Sequence, residues 1–459
     1  MLRMLRWLTG RRGGADVQDA RIDTSQCTPW PPGALLVGGA VRDLLLGRAP
    51  SDLDWSVEEP ALAARRLADD IGGSVFALDD VRDHWRVVGP PSEDGAKRTT
   101  HDFVRSPSDP EADLWRRDLT INAIAARRDG SLLDPTGGVA DLRSATVRMT
   151  SREALEADPV RPLRAVRFSG ALHFHLDEKT AAAVSTIASR QLAGSSPRPA
   201  AERVRDELSA IVSSGSGGAA LRLAADLGLL ATFLPELDAT RGVAQGGLHH
   251  LDVFGHSVLA LERLVASYPA AGLELRLATV LHDIGKPTTA VPVVGRRVTF
   301  HGHAKVGDVL ARRALRRLRF GADNVVAVGE LVRLHMLPLP ADERSARRFV
   351  HRYRHVLPDL LRLMIADREA ARGKLASAAG RRRYQEAMGR VIAVLEEEPP
   401  APPLLSGHDV MRMLSLEPGP RVGEALELVA EAVAMGDVKT VRDAERLLHD
   451  YARAQGWAS

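Results

Sequence analysis

The stretch LLVGGAVRDLLLGRAPSDLDWSV, residues 35–57, decides the fold class of this chain. It opens with an apolar run, turns at the glycine pair Gly38–Gly39 and closes with DLDWSV. Polar and apolar residues alternate at the start of this last segment, which predicts a strand with Asp52 and Asp54 on the same face. Two carboxylates so close repel each other unless a cation lies between them, and Mg²⁺ prefers such hard oxygen ligands. The stretch therefore predicts a magnesium site on a sheet.

The residues between the two strands add a place for an anion. Gly38 and Gly39 allow backbone N–H groups at the start of a helix to approach a phosphate closely. Arg42 supplies a planar guanidinium fork for the same anion. Together with the carboxylate pair, these residues predict a site for a metal-bound nucleoside triphosphate.

Composition limits the class of protein. The 459 residues are 45% hydrophobic and 26% charged, with a formal net charge of +3, which is typical of a globular protein of several domains. No apolar run reaches the roughly 18 residues of a membrane span, so no membrane partner is expected. The single cysteine, Cys27, excludes an intramolecular disulfide and a zinc–cysteine cluster. The basic MLRMLRWLTGRRGG is too broken by arginine for a secretory signal, so we expect a frayed leader over 1–32 and a cytoplasmic protein.

Periodicity predicts an α+β architecture. Strands are expected at 33–37, 52–57, 74–78, 85–88 and 99–104, with a helix over 60–71 and a turn in PPSEDGAK, residues 90–97. From about residue 151 the pattern is helical almost throughout. The expected domains are a head with a small mixed sheet over 33–148 and all-α regions over 149–245, 246–395 and 403–459. A proline-rich linker precedes the last of these.

The segment ADPVRPLRAVRF suggests a nucleotide-facing helix. Asp158 before Pro159 is predicted to be the helix N-cap, with proline at the first helical position. Arg161, Arg164 and Arg167 recur every three residues and so stay on one face. An aspartate and an arginine one turn apart can offer an acceptor and a donor to a base edge, while the other arginines reach phosphates. The alternative is a solvated helix with an internal Asp–Arg pair.

A second set of metal-ligand residues is spread over the helical part of the chain. Imidazoles and carboxylates together suit a transition metal, and helix bundles build such sites from facing helices. The candidates are His256, His282, Asp283, His303, His335 and Asp367.

Five segments, in order, resemble the signatures of the bacterial class II tRNA nucleotidyltransferases, or CCA-adding enzymes, and of the related poly(A) polymerases. They are LLVGGAVRDLLLGRAPSDLDW, ADLWRRDLTINAIA, LLDPTGGVADL, ADPVRPLRAVRF and ERVRDEL. The resemblance implies attack by an RNA 3′-hydroxyl on the α-phosphate of CTP or ATP, with two metal ions and release of pyrophosphate. It implies that Asp52, Asp54 and, on a neighbouring strand, Asp102 are catalytic.

The resemblance also implies the nucleotide contacts. Asp43 of the first signature and Arg117, Asp118 and Asn122 of the second are expected to bind the nucleotide beside Gly38, Gly39 and Arg42. Asp158 and Arg161 would select CTP or ATP by imitating a base-pairing partner, with Arg164 and Arg167 nearby. Ala157 stands where the family usually has glutamate.

The histidines and the adjacent HD pair of VLHDIGKP resemble the HD-superfamily phosphohydrolases. That resemblance implies a divalent transition metal such as Ni²⁺, Mn²⁺ or Co²⁺ and a phosphatase or 2′,3′-cyclic phosphodiesterase activity. A retained fold without turnover is the alternative. The segment 403–459 resembles the C-terminal part of the same nucleotidyltransferases, which contributes to tRNA contact.

We therefore expect CCA addition to and repair of tRNA 3′ ends, together with a second phosphohydrolase site. The alternatives are a CC-only or A-only adding enzyme, a poly(A) polymerase, or chiefly an HD phosphohydrolase with an RNA-binding head.

Overall fold

The computed structural model describes residues 21–50, 52–91, 98–245, 251–293, 297–371, 378–397 and 403–457. Parts of three expected features lie outside these residues: the first twenty positions of the leader, residues 92–97 of the turn, and residues 398–402 of the proline-rich linker. His249 and His250, which carry no assigned role, also lie outside them.

The strands of the head form one seven-stranded mixed sheet. Its strands are β1 (Leu35–Val37), β2 (Asp52–Val57), β3 (Ser74–Asp79), β4 (His84–Val88), β5 (Thr100–Arg105), β6 (Ala125–Ala126) and β7 (Leu132–Leu133). They lie in the order β3-β4-β5-β2-β1-β6-β7. Only the central β2–β5 pair is parallel, and the other pairs are antiparallel. This confirms the predicted small mixed sheet.

Alternation along β2 separates the core from the functional face. Leu53, Trp55 and Val57 are buried, whereas Asp52 is exposed and Asp54 half-buried. Because side chains alternate along a strand, burying the apolar set turns both carboxylates to the other face.

Helices make up most of the rest of the described chain. In the first half they are α1 (Gly39–Leu45), α2 (Pro60–Ile71), α3 (Pro110–Trp115), α4 (Gly138–Arg143), α5 (Arg152–Glu156), α6 (Arg161–Leu172), α7 (Glu178–Leu192), α8 (Ala201–Ser213), α9 (Gly217–Asp226), α10 (Leu230–Phe233) and α11 (Pro235–Asp238). In the second half they are α12 (Val253–Ser267), α13 (Leu273–Leu281), α14 (Lys286–Thr289), α15 (His303–Arg317), α16 (Ala322–Leu334), α17 (Glu343–Tyr353), α18 (Asp359–Ala370), α19 (Ala378–Glu396), α20 (Gly407–Leu414), α21 (Pro420–Ala434) and α22 (Val441–Gln455). Among the described residues, no helix has the length and apolar character needed to cross a membrane.

The chain divides into two compact units. One runs to Ala239 and also takes in Arg317–Phe320, and the other contains Thr240–Arg316 and Gly321–Ser459. The first holds the sheet and α1–α11, and the second is mainly helical. Within the second, residues 405–452 supply a separate apolar cluster of buried side chains.

One expectation about local structure needs correction. Residues 21–32 are not a frayed leader: Cys27 and Trp30 are buried, and Trp30 packs edge-on against Trp55 with ring centroids 4.8 Å apart. The apolar side chains gain enough from burial to fix this segment on the head. Short strands also occur among the helices: β8 (Thr146–Val147) pairs with β9 (His175–Leu176), and β10 (Val291–Val293) with β11 (Arg297–Thr299). These strands are too short for a detectable period of two.

Candidate active sites

The turn between β1 and α1 brings the backbone close to charged side chains. Gly38 has a φ of 74°, in the left-handed region that favours glycine. A Cβ at this position would lie 3.0 Å from Nη1 of Arg117 and 3.5 Å from Oδ2 of Asp54. Because glycine has no side chain, Gly38 leaves space between the predicted phosphate site and the carboxylate pair.

The parallel pairing of β2 with β5 places Asp54 opposite Asp102. Burial raises the pKa of Asp54, and the negative charge of Asp102 raises it further, while Arg117 acts in the opposite direction. Asp102 also accepts two hydrogen bonds of 2.7 Å from Nε and Nη2 of Arg86. The crowded carboxylates on this face are a donor set that fits a divalent cation with hard oxygen ligands.

A cleft of about 650 Å³ lies beside the carboxylates, and we call it the arginine cleft. Its lining brings together most of the predicted nucleotide-site residues with two that were not predicted. It consists of Gly38, Gly39, Arg42, Asp52, Asp54, Arg117, Asp118, Asn122, Asp158, Arg161, Arg164, Arg167, Phe168 and Arg203. Asp43 and Asp102 are not part of this lining: Asp43 binds the guanidinium of Arg42 with both carboxylate oxygens, and Asp102 binds Arg86.

A chain of charged hydrogen bonds holds the arginines of the cleft. Arg42 donates to Oδ1 of Asn122 at 2.7 Å, and Asn122 in turn donates to Asp118. Nε of Arg164 donates to the other oxygen of Asp118 at 2.6 Å. Charge-assisted bonds of this kind fix geometry as well as adding energy, so the guanidinium groups are held in place before any ligand arrives.

Phe168 is the apolar centre of this network. The guanidinium carbons of Arg42, Arg164 and Arg167 lie 4.9, 5.7 and 4.0 Å from the centroid of its ring. Glu207 on α8 accepts a 2.5 Å hydrogen bond from Nε of Arg167. The negative face of an aromatic ring attracts cations, so one phenyl ring helps to gather three guanidinium groups.

Asp158 does not cap the helix as expected. The helix α6 begins at Arg161, and Oδ1 of Asp158 accepts from the N–H of Val160 in the preceding turn. A helix starting at Pro159 would put Pro162 at a position that needs an N–H and where its ring meets a carbonyl of the preceding turn. Starting at Arg161 places Pro162 in the first turn, where proline is tolerated.

Asp158 is bound by an arginine from another helix. Nη1 and Nη2 of Arg203, on α8, each donate to one carboxylate oxygen of Asp158 at 2.7 Å. Arg161 donates instead to backbone carbonyls of Arg116 and Ala154. Burial tends to raise the pKa of Asp158, but the bonds from Arg203 outweigh it and lower the pKa. The alternative interpretation, an internal pair of Asp158 with Arg161, is therefore replaced by a pair of Asp158, in the turn before α6, with Arg203 of α8.

Phe168, Arg203 and Glu207 were missed from the sequence. Phe168 directly follows the arginine series, and the other two lie in ERVRDEL, for which the sequence offers only a resemblance. Their roles depend on the packing of α6 against α8, which a sequence pattern does not specify.

The second cluster gathers all six predicted residues within the helical unit. His256 lies on α12, Asp367 on α18, and His303 begins α15, while His282 and His335 directly follow α13 and α16. The possible ligand atoms of His256, His282 and Asp283 lie within 4.8 Å of one another, as do those of Asp283, His303 and His335. Nε2 of His256 is 2.8 Å from Oδ1 of Asp367, which joins the sixth residue to the cluster.

Backbone carbonyls orient three of the imidazoles. Nδ1 of His282, His303 and His335 lies 2.8, 2.7 and 2.7 Å from the carbonyl oxygens three residues earlier, at Thr279, Phe300 and Val332. Each Nδ1 therefore carries the proton it donates, which leaves each Nε2 to face the cluster. This is the usual outer-shell arrangement of metal-binding histidines.

The charges of the cluster also suit a metal. Burial raises the pKa of a carboxyl group, but His282 and Lys286 lower that of Asp283 well below its usual range. Burial, reinforced by His282, lowers the pKa of His335 to about 4. Metal ligands must be deprotonated, and a mixed imidazole–carboxylate set fits a transition metal better than Mg²⁺.

Lys286 is a buried cation at the edge of this cluster, and the sequence alone assigns it no role. Its Nζ donates to Oδ2 of Asp283 at 2.6 Å and to Oε1 of Gln245 at 2.5 Å. His301, also without an assigned role, is exposed.

Comparison with known proteins shows which families the segments that carry these two sites match. Residues 34–148 match the poly A polymerase head domain, 173–240 a probable RNA and SrmB-binding site of polymerase A, and 253–372 the HD domain. The fold and sites thus define a nucleotidyltransferase head followed by an RNA-binding region and an HD domain.

Relatives that align with nearly the whole chain show which kind of nucleotidyltransferase it resembles. The A-adding tRNA nucleotidyltransferase of Deinococcus radiodurans is 50% identical, over 92% of this chain and 96% of its own. The CC-adding tRNA nucleotidyltransferase of Thermus thermophilus is 41% identical, over 91% and 93%. The CCA-adding enzyme of Bacillus stearothermophilus, solved in complex with CTP, has the same fold, with a TM-score of 0.62 at 22% identity over 92% and 94% of the two chains. The chain belongs to the tRNA nucleotidyltransferase family.

Proposed function

We propose that this chain adds the terminal adenosine to tRNA that already ends in CC. The observation that carries the proposal is the arginine cleft beside the carboxylates of β2 and β5, which together suit a metal-bound nucleoside triphosphate. The expected full CCA addition has weaker support, because two relatives with near-complete coverage are named A-adding and CC-adding. The greater identity to the A-adding relative favours adenosine.

The proposed reaction is nucleotidyl transfer. The 3′-hydroxyl of the RNA loses its proton to solvent, and its oxygen forms a bond to the α-phosphorus of ATP as the bond to the bridging oxygen breaks and pyrophosphate leaves. Asp52, Asp54 and Asp102 would hold the divalent metal, which supplies charge stabilisation when bound. Arg42, Arg164 and Arg167 offset the negative charge of the triphosphate and of the leaving pyrophosphate.

Base selection is assigned to the turn before α6. The Watson–Crick edge of adenine presents one amino donor and one ring-nitrogen acceptor. Asp158 can accept from the amino group, and a neighbouring guanidinium can donate to the ring nitrogen. Arg203 binds both oxygens of Asp158 and therefore sets which of its lone pairs face the base.

The proposed catalytic site is tested by single-turnover addition of AMP to a tRNA transcript ending in CC. Asp54→Asn keeps the shape of the side chain but removes its charge, and it should abolish addition. The matched control is His282→Asn in the other unit, which should leave addition unchanged. Equal activity in Asp54→Asn and the unmodified protein would refute the assigned site.

Two alternatives give different products. A poly(A) polymerase would extend an unstructured RNA by many adenosines, whereas we expect one adenosine on a tRNA end. A chain that is chiefly a phosphohydrolase would keep its main activity in Asp54→Asn.

We infer that the histidine–aspartate cluster is a second, metal-dependent phosphohydrolase site. Convergence of six buried or half-buried ligand groups, three of them oriented through Nδ1, supports this function. When bound, a transition metal would act as a Lewis acid on a phosphoryl oxygen. Lys286 places a further positive charge beside Asp283.

This second function is tested with 2′,3′-cyclic AMP as substrate and Ni²⁺, Mn²⁺, Co²⁺ or Mg²⁺ added to metal-free protein. We expect hydrolysis with a transition metal and its loss in Asp283→Asn, with metal content measured in parallel. Bound metal without hydrolysis would identify a retained metal site without turnover.

A further inference from the structure

One face of α15 is positively charged and exposed. Lys305, Val309, Arg313 and Arg316 follow one another at intervals of four, four and three residues, so they lie on one side of the helix. All four are exposed, and Val309 is 63% exposed. We call these four residues the α15 face.

The cations of the α15 face differ from the neighbouring Arg312 in their ion pairing. Among the residues that the structure describes, no carboxylate lies within ion-pair distance of Lys305, Arg313 or Arg316. The neighbouring Arg312, on the flank of the same helix, pairs with Asp308 four residues earlier. Three positive charges on one helix face are therefore left without local compensation.

The basic helix α17 of the same unit gives a contrast. Four of its cations bind acids outside the helix: Arg344 with Asp437, Arg347 with Glu397, Arg348 with Glu431 and His351 with Glu427. These pairs neutralise most of the positive charge of α17. An anionic partner would find uncompensated cations along the α15 face, whereas these four cations of α17 are already engaged.

We propose that the α15 face binds the sugar–phosphate backbone of the tRNA substrate. The proposal rests on the proposed tRNA function. The helix rises by 1.5 Å per residue, so Lys305 and Arg316 are about 16 Å apart along it, which is enough to follow several phosphates. Lysine and arginine side chains suit contact with the phosphate backbone, which adds affinity without reading sequence.

The α15 face does not lead into the metal cluster. Lys305 follows His303 by two residues, a rotation of about 200° around the helix axis, so the two side chains lie on opposite sides. His303 is buried in the cluster, and Lys305 is exposed. RNA held on this face thus gains affinity without contacting the cluster ligands through it.

The test is a triple variant, Lys305→Gln with Arg313→Gln and Arg316→Gln, in the full chain. Binding of a CC-ended tRNA transcript is measured by fluorescence anisotropy between 50 and 200 mM KCl. Three lost phosphate contacts should weaken binding about tenfold or more and reduce the slope of log K against log salt by roughly two to three. The KM for tRNA in AMP addition should rise, while the rate at saturating tRNA stays unchanged.

The matched control removes three other exposed arginines of the same unit, as Arg333→Gln with Arg344→Gln and Arg348→Gln. Each pairs with a carboxylate, of Glu330, Asp437 and Glu431 in turn, so the net charge changes equally but no unpaired cation is lost. The control should bind tRNA with the unmodified slope, and thermal melts should show that both variants fold.

Three outcomes would overturn the proposal. The first is an unchanged salt slope in the α15 variant, and the second is an equal loss of tRNA binding in the control. The third is unchanged tRNA binding together with lost binding of polyglutamate, which would indicate an acidic protein partner. Failure of the proposed function is a separate result, because the unmodified protein would then add no AMP to any transcript.

Discussion

At the scale of single residues, Phe168 connects signatures that lie far apart in the sequence. We predict that Phe168→Leu, which keeps apolar volume but removes the ring, raises the KM for ATP. Loss of one or two effective cation–π contacts predicts roughly a fivefold to twentyfold increase. Steady-state kinetics at saturating tRNA measure the effect, with kcat nearly unchanged.

Phe168→Tyr is the control for that experiment, because it retains the aromatic face and should restore the KM. A fall in kcat with constant KM in Phe168→Leu would contradict a positioning role for the ring.

Cys27 gives a residue-scale prediction of reactivity. Burial raises the pKa of its thiol to about 11. At pH 8 such a thiol is roughly one part in a thousand thiolate, and thiolate is the reactive form. We expect the native protein to resist a disulfide exchange reagent at pH 8 and to react with one equivalent when unfolded. Rapid reaction of the native protein would show that residues 21–32 do not cover the thiol.

Several residues that line the arginine cleft could be predicted from the sequence. The glycine pair, Arg42 and the two carboxylates could be inferred because their spacing on a strand, turn and helix fixes which side chains meet. The position of Asp102 came from resemblance. Arg203, which binds Asp158, could not be inferred, because it comes from a helix about forty positions away that only tertiary packing brings close.

At the scale of elements, close packing requires glycine at position 138, in the third signature LLDPTGGVADL. A Cβ at Gly138 would lie 2.1 Å from the carbonyl oxygen of Thr120. Thr120 begins the short helix Thr120–Asn122, whose last residue binds Arg42. The glycine therefore lets α4 pack against the turn that holds Asn122 in the arginine cleft.

We predict that Gly138→Ala lowers the free energy of unfolding of the head by about 1–3 kcal/mol, as expected for overpacking. The KM for ATP should rise as well, because Asn122 moves with Thr120. Gly215→Ala is the control: a Cβ added there would meet no atom of the described residues within 4 Å, so stability should change by less than about 0.5 kcal/mol. Denaturant unfolding followed by tryptophan fluorescence measures both, and equal stability of the two variants would contradict this explanation.

Element boundaries were predictable where a strong local signal exists. The strand Asp52–Val57 and the helix Pro60–Ile71 were expected at their observed limits, because alternation and a proline at the first turn mark them. The predicted start of α6 was wrong because two prolines, Pro159 and Pro162, compete for the first turn. The parallel pairing of β2 with β5 was not predictable, since strands distant in sequence are paired by the fold.

At the scale of the whole molecule, the two proposed activities use different metals and lie in different units. Protein stripped of metal by a chelator and returned to Mg²⁺ should add AMP normally but fail to hydrolyse 2′,3′-cyclic AMP. Hydrolysis should return with Ni²⁺, Mn²⁺ or Co²⁺, which prefer the imidazole-rich ligand set. Loss of AMP addition until a transition metal is restored would contradict independent sites.

The most direct test of the central claim uses three transcripts of one tRNA, ending before CCA, after C and after CC. Each is incubated with Mg²⁺ and either ATP or CTP, and the products are resolved at single-nucleotide length. We predict one added nucleotide on the CC-ended transcript with ATP, and no extension of any transcript with CTP. Addition of two cytidines to the first transcript would contradict the A-adding assignment and indicate CC or full CCA addition.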